Sequence, residues 1–221
     1  MSKKAYRVLI VDDHPIVREG LDRLLSRETD LVVCGQAEDA PQALELLDKA
    51  DPDLAIVDIS LASGNGLDLV RQMRSANAEI RILVSSMHDE TLYAERALRA
   101  GARGYINKQQ ATEKIVEALR RILDGRIYLS ERMTDRLLSR VVDTSDDEKK
   151  ISVDRLSNRE LQVLELIGNG VGTAEIAERM NLSVKTVETY RQRIRQKLSL
   201  KNGAALASFA SQWVLQEANR S

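Results

Sequence analysis

The chain of 221 residues is long enough for one large domain or for two small ones, each with its own core. Its 33 Lys and Arg residues nearly balance its 34 Asp and Glu residues, so the net charge of −1 carries no information about partners. A single cysteine excludes an intramolecular disulfide, no apolar stretch approaches the roughly 18 residues of a membrane span, and the N-terminus lacks the apolar stretch of a secretory signal. These features predict a soluble, cytoplasmic protein without a membrane partner.

Residues 1–127 alternate short apolar runs with amphipathic segments. Five runs predict strands, over residues 7–11, 31–37, 54–57, 80–84 and 105–107. Five segments predict helices, of which one begins near Pro15 and the others cover residues 40–49, 67–73, 90–100 and 111–124. Strands that are apolar almost throughout are buried on both faces. The predicted fold is therefore α/β, with a doubly wound five-stranded parallel sheet.

Acidic residues concentrate at the carboxyl ends of these strands. Asp12 and Asp13 come after the first strand and Asp58 after the third, while Ser86 ends the fourth. Lys108 follows the fifth. In doubly wound sheets ligands bind beyond the carboxyl ends of the strands, so we expect these side chains to converge. Crowded carboxylates repel one another unless a cation offsets their charge, and Mg²⁺ is the usual cation beside phosphates.

The expected cluster has the chemistry of phosphoryl transfer. One carboxylate would be the nucleophile, and the metal ion would neutralise charge that develops on the transferring group. Lys108 supplies a point charge for one phosphoryl oxygen, and the hydroxyl of Ser86 can donate to another. Each group also has a plainer explanation, because Asp and Ser at a strand end often cap a turn or a helix. We interpret His14, which adjoins the acidic pair, as a loop residue.

Four segments resemble the receiver domain of two-component response regulators, and the resemblance covers about residues 5–126. The segments are Val11-Asp12-Asp13-His14-Pro15, Val57-Asp58-Ile59, Ser86 and Gly104-Tyr105-Ile106-Asn107-Lys108. By this resemblance Asp58 is the phosphoacceptor. The implied ligands of Mg²⁺ are Asp12, Asp13, Asp58 and the backbone carbonyl of Ser60. The implied switch and phosphoryl-binding residues are Ser86 (the switch hydroxyl), Tyr105 (the switch aromatic) and Lys108 (the phosphoryl-binding lysine).

Two positions depart from the receiver pattern. Ala62 follows the implied phosphoacceptor where the family commonly has proline, and Gln109 follows Lys108 where the family often has an acidic residue or proline. Both changes bear on the stiffness of a loop or on the lifetime of the phosphoryl group. Neither of them removes a reacting group.

The sequence changes character after residue 127. Apolar residues at helical spacing predict a short helix over residues 131–141, with Ser130 as its N-cap. Residues 142–150 have no apolar period and predict a solvated tether. We therefore assign the chain to three parts, a first domain, a linker with a short helix and a second domain, over residues 1–127, 128–151 and 152–221.

The second domain is predicted to be all-α, with four helices. The predicted caps of the first three helices are Ser157, Thr173 and Ser183, and residues 202–215 form the fourth. Ser157 and Glu160 have the spacing of a capping box. A tight turn joins the second helix to the third, which is basic, and this arrangement is typical of a helix-turn-helix.

Basic residues concentrate in the third of these helices. Six Lys and Arg residues stand against one acid between Ser183 and Lys201, which is an electrostatic footprint for nucleic acid in a neutral protein. The residues predicted to face the core are Val187, Ile194 and Leu198. The residues predicted to read bases of double-stranded DNA are Glu188, Thr189 and Gln192. The residues predicted to contact its phosphates are Lys185, Thr186, Tyr190, Arg193 and Lys197. The plainer explanation is an exposed basic helix of a bundle.

The second domain resembles the LuxR-type helix-turn-helix. The segments that carry the resemblance are Leu156-Ser157-Asn158-Arg159-Glu160, Ala174-Glu175-Ile176-Ala177 and Ser183-Val184-Lys185-Thr186-Val187-Glu188-Thr189-Tyr190. A receiver followed by this motif is similar to the NarL/FixJ subfamily of transcriptional regulators. The resemblance implies a transcription factor that is not a multiple-turnover enzyme, and a homodimer formed through the last helix, from Ala205 to Trp213.

The hypothesis that follows joins the two domains. A sensor histidine kinase donates a phosphoryl group to Asp58, which draws in Ser86 and lets Tyr105 turn inward. The altered surface releases or pairs the second domain, so that two copies bind two DNA half-sites.

Two other classes of function stay open. An aspartyl-phosphate hydrolase also uses an aspartate at a strand end, but such enzymes usually have a second aspartate where this chain has Ser60. Rapid turnover of phosphomonoesters would favour the hydrolase. A DNA-binding protein that is independent of phosphorylation would keep the first domain only for dimerisation, and Mg²⁺-dependent labelling of Asp58 would separate it from a phosphorylated switch.

Overall fold

The chain folds into two compact units, Met1–Asp143 and Thr144–Ser221. A computed structural model describes residues 5–61, 64–142 and 153–218. Within these ranges, no helix is both long enough and apolar enough to cross a membrane.

The first unit is built on a parallel five-stranded sheet. Its strands are β1 (Tyr6–Val11), β2 (Leu31–Ala37), β3 (Leu54–Val57), β4 (Arg81–Ser86) and β5 (Gly104–Asn107). They lie in the order β2-β1-β3-β4-β5. The order changes direction between β1 and β3, and this opens a crevice at their carboxyl ends. The predicted doubly wound parallel sheet is confirmed.

Helices follow the strands of this unit in alternation. They are α1 (Pro15–Leu25), α2 (Ala40–Ala50), α3 (Gly66–Ala76), α4 (Glu90–Ala100), α5 (Lys108–Leu123) and α6 (Glu131–Val142). Pro15 begins α1, where its missing N–H leaves no hydrogen bond unmade. Gly101 ends α4 in the left-handed conformation, as its predicted position after that helix requires.

Helix α5 begins earlier than the sequence predicts. The apolar period predicts a start at Ala111, but Asn107 is the N-cap and its side chain accepts a hydrogen bond from the backbone N–H of Gln109 at 2.9 Å. The helix therefore begins at Lys108, immediately after β5. Its first residues are polar, so periodicity does not reveal them, whereas the cap decides where the helix starts.

The core of the first unit lies along β1 and β3. Every residue of β3 is buried, and so are the last four residues of β1, from Val8 to Val11. Burial of each large aliphatic side chain contributes about 1.5–3 kcal/mol to folding. The residues that follow these two strands are therefore attached to firmly packed parts of the core.

The first unit continues past residue 127. Tyr128 forms a parallel bridge with Gly104 at the edge of the sheet, and its backbone oxygen accepts a hydrogen bond from the N–H of Tyr105 at 2.9 Å. The aromatic ring of Tyr128 is buried in the core. Periodicity does not reveal this pairing, because a single bridging residue leaves no repeating pattern in the sequence.

Helix α6 also packs with the first unit. Its predicted cap is confirmed, since the Oγ of Ser130 accepts a hydrogen bond from the N–H of Met133 at 3.1 Å. The side chain of Met133 is buried. The part of the predicted linker up to Val142 therefore belongs to the compact first unit, and most of the predicted tether lies outside the described residues.

The second unit is helical. After a short 3-10 helix (Val153–Arg155) come α7 (Asn158–Gly168), α8 (Thr173–Arg179), α9 (Val184–Lys197) and α10 (Gly203–Ala218). The capping box of Ser157 and Glu160 and the cap at Ser183 are confirmed. The predicted cap at Thr173 is wrong, because α8 begins with Thr173 and its N-cap is Gly172, which has an extended backbone and no side chain to bond.

Helix α10 packs tightly on α7. A Cβ atom at Gly168 would lie only 2.6 Å from the backbone oxygen of Ala210, so this crossing requires glycine. Leu206, Ala210 and Trp213 are buried inside the unit. The apolar face of α10 therefore packs in the core of the unit. Only the outer face of the helix, where Leu215 is exposed, is available to a second chain.

Candidate functional site

Asp12, Asp58 and Lys108 meet where β1, β3 and β5 end. The Nζ of Lys108 lies 2.6 Å from Oδ2 of Asp12 and 2.7 Å from Oδ2 of Asp58. Asp12 and Asp58 are 2% and 3% exposed. One ammonium group thus bridges two buried carboxylates, and the expected convergence of these side chains is confirmed.

The acidic cluster has the donor set for a divalent cation. Asp12, Asp13, His14 and Asp58 each offer a ligand atom, and these atoms all lie within 4.8 Å of one another. The Oδ1 of Asp58 is buried without a hydrogen-bond partner among the described residues. Because a buried carboxylate oxygen is rarely left unsatisfied, this atom fits a cation with oxygen ligands. The identity of the ion stays a prediction.

Burial and the neighbouring charges shift the ionisation of this cluster. Burial raises the pKa of Asp58 above its ordinary value, more than the charge of Lys108 lowers it. Burial alone would lower the pKa of Lys108, but its contacts with Asp58 and Asp12 outweigh that effect and raise it. Lys108 is therefore a full cation at neutral pH, and the ionised cluster gains from further positive charge.

The chain after Asp58 folds back closely on itself. A Cβ atom at Gly66 would lie 1.8 Å from the backbone oxygen of Asp58, so only glycine fits there. The backbone N–H of Ser60 acts to lower the pKa of Asp58, and the Oγ of Ser60 lies 3.0 Å from Nε2 of His88. The role of the Ser60 carbonyl as a metal ligand stays a prediction, and Ala62 lies outside the described residues.

Ser86 and Tyr105 are both tied to His88. The Oγ of Ser86 accepts a hydrogen bond from the N–H of His88 at 3.3 Å. Tyr105 is fully buried, and its hydroxyl donates to the backbone oxygen of His88 at 2.7 Å. The ring of His88 lies 4.6 Å from that of Tyr93. The inward position that the hypothesis gives to Tyr105 after phosphorylation is thus already occupied in this structure.

Sequence reasoning does not identify His88 as part of the site. Its contacts with Ser60, Ser86 and Tyr105 come from three different segments, which only the fold brings together. The one signal in the sequence is its position, two residues after Ser86 at the end of a strand. His14 lies closer to the acids than a plain loop residue, with Nδ1 2.7 Å from Oδ1 of Asp13.

Helix α9 has the orientation that the sequence predicts. Val187, Ile194 and Leu198 are buried. The predicted base-reading residues are all exposed, and they are Glu188, Thr189 and Gln192. Glu188 lies 3.7 Å from Arg191, and the hydroxyl of Thr189 donates to the backbone oxygen of Lys185 at 2.9 Å. The base contacts themselves stay predictions.

A cavity of about 300 Å³ lies beside the N-terminal half of α9. Its lining residues are Ser183, Lys185, Thr186, Thr189, Tyr190 and Arg193. Four of the residues predicted to contact phosphate are therefore gathered in one place, together with the predicted base reader Thr189. Two cations and several hydroxyls beside the first turns of a helix are suited to an anion.

Lys197 contacts a buried carboxylate in this structure, and its predicted contact with a DNA phosphate stays a prediction. Its Nζ lies 2.6 Å from Oε2 of Glu160, a buried carboxylate that also accepts a hydrogen bond from the N–H of Ser157 at 2.7 Å. A buried carboxylate needs a cation, and Lys197 provides it. In this structure Lys197 therefore belongs to the contact between α9 and α7, and not with the residues that line the cavity.

Comparisons with known proteins cover both units. The family described as "Response regulator receiver domain" matches residues 8–120, and the family described as "Bacterial regulatory proteins, luxR family" matches residues 154–210. A curated relative, the oxygen regulatory protein NreC of Staphylococcus carnosus (strain TM300), is 35% identical over 208 residues. That alignment covers 92% of this chain and 96% of NreC.

Solved structures of similar sequence have the same architecture. The RcsB response regulator of Salmonella typhimurium aligns with a TM-score of 0.65 and 27% identity, over 95% of this chain and 98% of that one. RcsB from Salmonella enterica serovar Typhimurium, bound to promoter rprA in the presence of the phosphomimetic BeF3−, aligns with a TM-score of 0.61 and 28% identity, over 94% and 99% of the two chains. The chain therefore belongs to the response regulators that join a receiver domain to a LuxR-type DNA-binding domain.

Proposed function

We propose that Asp58 accepts a phosphoryl group and that its phosphorylation controls DNA binding by the second unit. The observation that carries this proposal is what surrounds each of the two oxygens of the Asp58 carboxylate. One of its oxygens is bound to Lys108, and the other is buried without a hydrogen-bond partner among the described residues. A carboxylate of this kind has a cation beside it for an incoming anion and an oxygen available for a further ligand.

The cofactor that we propose is Mg²⁺, held by Asp12, Asp13, Asp58 and the backbone carbonyl of Ser60. Oxygen ligands from carboxylates favour Mg²⁺ among the common divalent ions beside phosphates. The bound ion would offset the carboxylate charges and the charge that develops on the transferring phosphoryl group.

The remaining chemistry belongs to the side chains of this chain. An oxygen of Asp58 attacks phosphorus and forms the new O–P bond, while the bond to the donor breaks and its electron pair leaves with the donor. Lys108 then binds a phosphoryl oxygen, and the hydroxyl of Ser86 donates to another. Because Tyr105 is already buried, we propose that the response starts at Ser86 and His88 and not with an inward turn of Tyr105.

The partners that we propose are a sensor histidine kinase, double-stranded DNA and a second copy of the chain. The kinase follows from membership of the receiver family, and DNA from the cavity and the exposed face of α9. The similar protein RcsB has been solved bound to promoter DNA. A regulator of this kind works where the chromosome lies, and we propose a cytoplasmic location.

We also propose that the chain is not a multiple-turnover phosphatase. The general acid of such an enzyme would occupy the position of Ser60, whose hydroxyl instead contacts His88. Steady release of phosphate from a phosphomonoester by the purified protein, at many turnovers per chain, would contradict this.

The test of the phosphoacceptor is labelling with acetyl phosphate, read by intact-protein mass spectrometry. We expect the protein to gain the mass of one phosphoryl group with Mg²⁺ present and to gain none after chelation. Asp58→Asn should gain none under either condition, because the amide is a poor nucleophile, while its melting temperature shows that it is folded. The control is Asp68→Asn, which changes an exposed carboxylate on α3 and should be labelled normally. Labelling of Asp58→Asn would contradict the assignment.

A further inference from the structure

A hydrogen bond joins the start of α4 to the start of α6. The backbone N–H of Ser130 donates to Oε1 of Glu90 at 2.9 Å, in a partly buried position. Glu90 is the first residue of α4, and Ser130 caps α6. Neither residue belongs to the acidic cluster or to the DNA-binding face, so the proposed function leaves this contact unexplained.

Glu90 lies close along the chain to the phosphoryl-binding region. The N–H of His88 bonds to Ser86 and its backbone oxygen to Tyr105. Asp89 caps α4 by accepting a hydrogen bond from the N–H of Thr91 at 2.7 Å. The segment from Ser86 to Glu90 is therefore fixed at successive points between the end of β4 and the first turn of α4.

A second contact holds the same part of the linker. The N–H of Tyr105 donates to the backbone oxygen of Tyr128 at 2.9 Å, two residues before Ser130. Met133, in the first turn of α6, is buried. Two hydrogen bonds, at Tyr128 and at Ser130, thus hold the segment that leads into α6, and α6 is the last described element of the first unit before the chain passes to the second.

We propose that Glu90 is a positioning residue that transmits phosphorylation of Asp58 to α6. Its carboxylate holds the start of α6 in the unphosphorylated protein, and displacement of the segment from Ser86 to His88 breaks this bond. A shift of about 1 Å is sufficient, because a hydrogen bond of normal length is lost beyond about 3.5 Å. The inference rests on the proposed phosphorylation and adds the route by which it reaches the DNA-binding unit.

Three substitutions of Glu90 separate its contact from its charge. Glu90→Ala removes the acceptor, and Glu90→Asp keeps the charge at the start of α4 but is too short to reach Ser130. Glu90→Gln keeps a carbonyl acceptor of the same length. The control is Glu95→Ala, which removes a carboxylate from the same helix and breaks its pair with Arg99. All four variants should be labelled on Asp58 as the wild type is.

The readout is the ratio of DNA affinities of the full chain with and without acetyl phosphate, on a duplex selected from random sequences. We expect a ratio of about 5–150 for the wild type, the usual range of coupling between two sites. Glu90→Ala and Glu90→Asp should reduce it to below about twofold, because their unphosphorylated form already binds like the phosphorylated wild type. Glu90→Gln and Glu95→Ala should keep the wild-type ratio. A purely structural role for Glu90 would lower stability without changing this ratio.

Amide hydrogen exchange tests the contact without any substitution. The N–H of Ser130 should exchange slowly in the unphosphorylated wild type and about tenfold faster with acetyl phosphate, while Asp58→Asn shows no change. The inference would be overturned if Glu90→Ala kept the wild-type ratio of DNA affinities with and without acetyl phosphate. Equal exchange rates of the Ser130 N–H in the wild type with and without acetyl phosphate would also overturn it. If the wild type itself is not labelled on Asp58, the proposed function is wrong and the inference falls with it.

Discussion

The basic residues of α9 differ in what each of them faces. Lys185 and Arg193 line the cavity beside α9, whereas Lys197 contacts the buried carboxylate of Glu160. A cation that faces solvent is available to a phosphate group. A cation already paired with a buried carboxylate would have to leave that carboxylate without a partner, which is costly.

Substitution of the cavity cations therefore tests the DNA face. Lys185→Ala and Arg193→Ala should each weaken binding to all duplexes alike, and each should reduce the slope of log affinity against log salt concentration by about 1. Fluorescence anisotropy of a labelled duplex at several salt concentrations measures both quantities. The control is Lys49→Ala on α2, which breaks an exposed pair with Glu45 and should leave the slope unchanged. An unchanged slope in the cavity variants would exclude phosphate contacts at these residues.

At the level of single residues, the sequence predicts some members of the site and misses contacts between residues that are far apart along the chain. Asp12, Asp58 and Lys108 were predictable, because parallel strands share one edge and residues after them must meet there. The contact between Lys197 and Glu160 was not, because the two residues belong to different helices and both look like ordinary surface charges. The same holds for His88, whose partners come from three separate segments.

Helices α7 and α9 are joined through one carboxylate. Glu160 completes the capping box of α7 and also binds Lys197 near the end of α9. Burial acts to raise the pKa of Glu160, but its bonds with Lys197 and Ser157 outweigh burial and lower it below the ordinary value of 4.5. A lowered pKa in the folded state stabilises the protein above pH 4.5, and this contribution is lost as the pH falls through the folded value.

Glu160→Gln should therefore destabilise the second unit in a pH-dependent way. We expect a loss of about 1–2 kcal/mol at pH 7, the scale of a charged hydrogen bond whose partner Lys197 keeps access to water. The difference in free energy of unfolding from the wild type should shrink as the pH falls from 4.5 towards the lower pKa of Glu160 in the folded protein, where its carboxylate takes up a proton. Urea unfolding followed by tryptophan fluorescence measures the stability of the second unit, because Trp213 in α10 is the single tryptophan of the chain.

The matched control for this substitution is Glu175→Gln on α8. Glu175 has an exposed pair with Arg179, which should contribute less than about 0.5 kcal/mol. Two results would contradict the view that an ionised Glu160 links the two helices. In one, Glu160→Gln lowers the free energy of unfolding equally at pH 7 and well below pH 4.5, and in the other it leaves the free energy of unfolding unchanged at both.

The sequence predicts the helices and strands better than it predicts the residues at which they begin. Residues 54–57 have the same limits as β3 and residues 90–100 the same limits as α4, because apolar runs and a terminal glycine mark these elements in the sequence. The starts of α5 and α8 were misplaced, since the actual caps at Asn107 and Gly172 precede polar or small residues without an apolar period.

The whole molecule consists of two units with separate cores. A phosphoryl group on Asp58 would belong to a different core from α9, so we expect it to act by changing how the units associate or how two chains pair. Pairing has a distinct signature. Once two chains are joined, the second contact with DNA becomes intramolecular, and affinity rises without any new contact at either half-site.

The increase in DNA affinity that acetyl phosphate causes should therefore depend on the number of half-sites in the duplex. We expect a gain about a hundredfold larger for a duplex with two half-sites one helical turn apart than for a duplex with one. Sedimentation velocity should detect dimers only with the phosphodonor, and Asp58→Asn should show neither effect. An equal gain on both duplexes would contradict pairing, because release of an occluded DNA surface raises the affinity for each half-site alike.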